Sequence, residues 1–229
     1  AMSVIMKYIA AHCTVLETLW LDNCNVTQPL ALVLKKCSAT LKELRLRNTV
    51  TFALPTMEEV TAKPTEKKGI FAKAFCPNVR KLAVLHPITM SAGAISAFPN
   101  VVELELSGHN LTQPVAMALR AWRQLEVVDL RYSYNGDLIT EEVCDALKHS
   151  APTIRKLTFS CISDTFAFPA LKTFLSKCEK LEDVRFETNN TWDDVITAVA
   201  ESCGPRLLHL RTPLNGNITP AAAAALAKH

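Results

Sequence analysis

Apolar positions along this chain return in one short phrase: apolar, two others, apolar, one other, apolar. It stands at Leu16, Leu19 and Leu21, at Leu41, Leu44 and Leu46, at Val79, Leu82 and Val84, and at Val101, Leu104 and Leu106. It continues at Leu125, Val128 and Leu130, at Ile154, Leu157 and Phe159, and at Leu181, Val184 and Phe186, with a degenerate copy at Leu207, Leu210 and Thr212. The first anchors lie 25, 38, 22, 24, 29, 27 and 26 residues apart. Alternate residues of a strand point to opposite faces, so each phrase predicts a short strand with one apolar and one polar side. The expected strands are 18–22, 43–47, 81–85, 103–107, 127–131, 156–160, 183–187 and 209–211, consecutive and parallel.

Between phrases the period changes to that of a helix. Leu30, Val33 and Leu34 share one helical face, as do Val115, Ala118 and Leu119, Val143, Ala146 and Leu147, and Val195, Ile196 and Val199. Thr27, Thr112, Thr140, Thr191 and Thr219 stand where an N-cap hydroxyl is wanted, followed by Pro or acidic residues in the first turn; Thr89 is a weaker case. The pairs Glu141-Glu142 and Asp193-Asp194 are therefore read as helix-dipole partners rather than catalytic carboxylates. One strand and one helix cannot bury their apolar faces alone, whereas stacked copies can. The fold class expected is α/β: a solenoid of about eight repeats, with a parallel sheet on the concave face and helices on the convex face.

The cysteines follow the same phase. Cys13, Cys37, Cys76, Cys178 and Cys203 precede a first anchor by three or four residues, and Phe98, Trp122 and Ser150 hold the equivalent place elsewhere. Such a position suits a small apolar residue closing the helix-to-strand corner. Cys24 falls in a turn, Cys144 in a helix and Cys161 in a turn. No Cys-x-x-Cys pair occurs, so all eight thiols are expected free and no metal site is expected.

The arrangement Cys, two or three residues, apolar-x-x-Leu-x-Leu, then Cys or Asn, resembles the cysteine-containing leucine-rich repeats. These are similar to the ribonuclease-inhibitor-like fold and are found in F-box leucine-rich-repeat proteins. The resemblance covers nearly the whole chain, 1–229, as a single leucine-rich-repeat domain. It implies a horseshoe solenoid that binds proteins. No F-box precedes Leu16.

The 38-residue step holds an insertion, 54–69, rich in Lys, Thr, Glu and Pro, expected as an exposed loop: either a solvated insertion or a contact arm. Val4, Ile5, Tyr8 and Ile9 form an apolar helical face before the first strand, and 220–228 is an Ala-rich helix with little polarity. Both ends lack an obvious polar cap, and the domain is expected to be a piece of a longer protein. Sequon patterns at Asn25, Asn110, Asn189 and Asn217 arise at one repeat phase, where a turn Asn meets the next capping Thr. They leave a secreted ectodomain open as an alternative to a cytoplasmic, nuclear or cytoskeletal protein.

Composition changes the picture little. The chain has 229 residues, 49% hydrophobic and 21% charged, with a net charge of +3, and carries no nucleic-acid footprint and no membrane-length apolar run. Six histidines show no metal-ligand spacing, and six glycines build no phosphate loop. His109 reads as a turn residue. No cofactor is expected and no enzymatic activity; an arginine-based GTPase activator, with Arg47 as the candidate, is an alternative.

The function expected is a non-catalytic scaffold or adaptor, monomeric as a fragment, that binds a protein partner of unknown identity on its concave face. A substrate-recognition segment of a ubiquitin ligase is a further alternative. The candidate binding residues are Trp20, Arg45, Arg47, Glu103, Glu105, Asp129, Arg131, Tyr132, Arg185 and Arg211. Trp20 is an aromatic at an outward strand position, and Tyr132 and Tyr134 crowd the end of the fifth strand. The charges fall into an acidic centre, Glu103, Glu105 and Asp129, between Arg45/Arg47 and Arg185/Arg211. Exposed aromatics and arginines dominate interface energetics.

Overall fold

The computed structural model describes residues 2–23, 27–47, 75–85, 97–107, 116, 119–131, 141–160, 168–187, 193–212 and 218–228. Eight strands form one all-parallel sheet in sequence order: β1 (Thr18–Asp22), β2 (Glu43–Arg47), β3 (Lys81–Leu85), β4 (Glu103–Ser107), β5 (Val127–Arg131), β6 (Lys156–Ser160), β7 (Asp183–Glu187) and β8 (His209–Arg211). All eight coincide with the strands expected from the phrases. The described helices are α1 (Met2–His12), α2 (Thr27–Lys36), α3 (Glu141–Leu147), α4 (Phe168–Ser176), α5 (Asp193–Cys203) and α6 (Pro220–Ala227).

The register pairs each phrase with the next: Leu19 beside Leu44, Leu44 beside Leu82, Leu82 beside Leu104, and so on to Val184 beside Leu210. Pairing of β2 with β3 is uninterrupted, so the long step between them leaves the ladder intact. The insertion 54–69 itself lies outside the described residues, as do Cys24, Cys161, His109, the four sequon asparagines, Thr89, Thr112, Thr140 and Thr191.

Burial follows the alternation. In β2 and β4 the second and fourth residues are buried and the others half-buried or exposed. The strand leucines share one apolar cluster with Leu30, Val33 and Leu34 of α2, Val143 and Leu147 of α3, Leu171, Phe174 and Leu175 of α4, and Val195 and Val199 of α5. Sheet and helices therefore enclose a single core, and among the described elements none packs on the opposite face of the sheet. Helix α1 places Met6 and Ala10 against that core, whereas Val4, Ile5 and Tyr8 of the expected apolar face are exposed. Glu141, Glu142, Asp193 and Asp194 occupy first helical turns, as expected. Thr219 caps α6, its hydroxyl accepting the Ala222 N–H at 3.4 Å.

Two polar ladders fasten one repeat to the next. At each strand start a carbonyl accepts two backbone N–H groups of the following repeat. Glu17 O takes those of Lys42 and Glu43 at 2.7 and 3.0 Å, and Glu182 O takes those of Leu208 and His209 at 2.8 and 2.9 Å. Lys42, Arg80, Val102, Glu126 and Arg155 repeat the arrangement between them. The corner residues supply the second ladder. Cys37 Sγ donates to Cys13 O at 3.1 Å, Trp122 Nε1 to Phe98 O at 2.8 Å, Ser150 Oγ to Trp122 O, and Arg206 Nη2 to Cys178 O at 3.1 Å. Cys76 and Cys203 Sγ reach Leu34 O and Leu175 O instead, at 3.4 and 3.6 Å. Cys37, Trp122 and Ser150 thus combine an apolar or small body with a donor to the repeat before, whereas Phe98 fills its corner without one and Cys178 Sγ turns to Phe174 O of its own helix. Thr40 and Thr153 add hydroxyl bonds to Leu16 O and Leu125 O. On the helical side Asp145 links Lys148 to Arg120 of the repeat before. The Lys148 hydrogen bond first, and the charges of both cations, hold its carboxyl below the usual range.

The six described cysteines are free, and Cys37, Cys76, Cys144, Cys178 and Cys203 are buried. Cys13 departs from the expected full burial and is half-buried. It belongs to the first repeat of the stack, which has a described neighbour on one side only. Burial pushes the Cys76 and Cys144 thiols up from 9.0 to about 12 and raises Cys37, Cys178 and Cys203 as well. A thiol that ionises at 9.0 when unfolded but only near 12 when folded stabilises the fold below about pH 9. That contribution is lost as pH rises toward 12, by up to about 1.4 kcal/mol per pH unit for each such thiol. Urea unfolding across this window should show stability falling more steeply in the wild type than in Cys144→Ala; equal slopes would mean the thiol is not desolvated.

Candidate functional site

The alternation that buries Leu44 and Leu46 turns Glu43, Arg45 and Arg47 to the open side of the sheet. In-register parallel pairing then lines equivalent residues into rows. The middle row runs Trp20, Arg45, Ala83, Glu105, Asp129, Thr158, Arg185 and Arg211. The row before it runs Thr18, Glu43, Lys81, Glu103, Val127, Lys156, Asp183 and His209. The row after it holds Asp22, Arg47, Leu85, Ser107 and Arg131. The structure thus places Trp20, Arg45, Glu105, Asp129, Arg185 and Arg211 in one line, with Glu103, Arg47 and Arg131 in the flanking lines. Tyr132 and Tyr134 lie outside the described residues.

Trp20 is 64% exposed and nevertheless held from two sides. Its Nε1 donates to Glu43 Oε1 at 3.2 Å, and the Arg45 guanidinium lies 5.6 Å from its ring centroid. A guanidinium over an indole face is favourable by about 0.5–1 kcal/mol at exposed sites. The indole is therefore pre-oriented, with the rest of its surface open to solvent.

The acidic centre is not a free negative patch. Glu105 Oε1 is 3.1 Å from Arg131 Nη2 and 3.8 Å from Arg45 Nη2, and Arg131 also clasps Asp129 at 2.7 Å. Glu105 and Asp129 side chains are only 19% and 16% exposed. Lys81 stands between Glu43 and Glu103, 3.7 and 3.6 Å from their carboxylates. Arg47 and Asp22 pair at 3.7 Å. Arg45 and the acidic pair Glu105 and Asp129, separated in the sequence reading, are thus joined across β2 to β5, whereas Arg47 pairs with Asp22 and Arg185 and Arg211 lie beyond on β7 and β8. Reversing Glu105 would set a third cation between Arg45 and Arg131, so it would disturb the fold as well as any docking.

Three charged residues of this face, Asp22, Glu43 and Lys81, and the small Ala83 beside them were given no binding role in the sequence reading. The signal for Glu43 and Lys81 was present, since Glu43, Lys81 and Glu103 alternate in charge at directly opposed positions, which is favourable across a sheet. Ala83 lies in register between Arg45 and Glu105 and is fully buried. Strands in a sheet lie about 4.8 Å apart, so Arg45 and Glu105 start some two strand spacings apart. A methyl group between them leaves room for their side chains to meet. Leu85, in the next row, is also buried, which makes β3 the least polar strand of the open face.

Beyond β5 the open face carries Lys156, Arg185, His209 and Arg211, all exposed, with Asp183 half-buried among them. Among the described residues no group of three His, Cys, Asp or Glu is placed to hold a metal ion. No described helix is long and apolar enough to cross a membrane.

Half-buried and fully exposed ion pairs should differ in strength. A double-mutant cycle on Glu105 and Arg131, measured by urea unfolding, should give a coupling of about 1 kcal/mol. The same cycle on Glu17 and Lys42, 2.7 Å apart but each 61% exposed, should give less than about 0.5 kcal/mol. Equal couplings would show that the central network carries no special stability.

No protein-family model matches the chain, and no curated protein does.

Proposed function

We propose that the chain is a leucine-rich-repeat solenoid of the cysteine-containing, ribonuclease-inhibitor-like class. In this reading it is a non-catalytic scaffold that binds a protein partner through the open face of its sheet, concave in that fold. Consecutive parallel strands at the phrase spacing, and corner residues bonded from repeat to repeat, support the class. The described cysteines, all free, favour a reducing compartment.

The single observation that carries the binding reading is Trp20. Leaving a tryptophan largely in water forgoes the stabilisation its burial would bring, commonly the largest of any side chain. Here it is both exposed and oriented by Glu43 and Arg45, at the β1 end of the middle row of the sheet's outward face. A partner residue covering the indole gains that burial without first having to order it, the economy that marks interface anchors. The ion pairs of β1 to β5 then supply a fixed, internally neutralised surface beside the anchor, while Arg185 and Arg211 steer approach from the other half. Their effect belongs to association rate and salt dependence rather than to residence time.

The test begins with cross-linking on the intact chain to identify a partner, followed by affinities for variants. Trp20→Ala should weaken binding by about 2 kcal/mol or more, roughly thirtyfold. Leu32→Ala, on the exposed side of α2, should leave it unchanged. Loss with Leu32→Ala and normal affinity with Trp20→Ala would move the site to the helical face.

A further inference from the structure

We draw no further inference here: the strongest candidate, the patch of Lys156, Arg185, His209 and Arg211 on the outward face of β6 to β8, belongs to the face already described, and with Asp183 set among these cations nothing in the structure shows what covers it.

Discussion

A unit of one five-residue strand and one helix has more apolar surface than it can cover by itself. That surface must be covered by a neighbour of the same kind, and this requirement governs the rest of the structure. Leu44 is fully buried because Leu19 lies on one side of it, Leu82 on the other, and Leu30 and Leu34 behind. Stacking also places a fixed set of backbone polar groups at each junction, and those groups must find partners away from water. The paired N–H groups on each strand-start carbonyl, and the corner donors on the carbonyl of the preceding repeat, supply them. Apolar burial provides the driving force, and the two ladders set the register in which it is realised.

That register has a consequence on the far face. When equivalent residues align, any side chain not used by the core falls into a row, and its neighbours in the row are fixed by chain spacing alone. The network of Arg45, Glu105, Arg131 and Asp129 draws on strands β2, β4 and β5 and exists only because Ala83 of β3 keeps the middle of the row clear. The same alignment sets Trp20 beside Arg45 at the edge of that network.

Strand positions were legible in the sequence to the residue, because a period-two phrase bounded by polar residues admits one alignment. The corner positions were legible as well, since Cys, Phe, Trp and Ser recur at one phase. What could not be read was the corner chemistry. The bond from Trp122 Nε1 to Phe98 O depends on the distance between repeats, which no single repeat encodes. The charge zones were placed in the correct rows but taken as separate, because the reach of arginine side chains across a neighbouring strand is a property of the assembled sheet. Helix α1 shows the limit of pattern reading at an edge. Val4, Ile5, Tyr8 and Ile9 read as one apolar face, but with a neighbour on one side only it is Met6, Ile9 and Ala10 that pack inward while Val4, Ile5 and Tyr8 stay exposed.

If nearest-neighbour stacking is what holds the chain together, local stability must depend on how many neighbours a strand has. Native-state hydrogen exchange on dilute protein measures this strand by strand. Amides of Leu104, Leu106, Val128 and Leu130, in strands flanked on both sides, should exchange only through the slowest opening of the molecule. Those of β1 and β8 should exchange earlier, and protection should fall outward from the centre. Central strands that exchange before the edges, or uniform protection across all eight, would contradict the account.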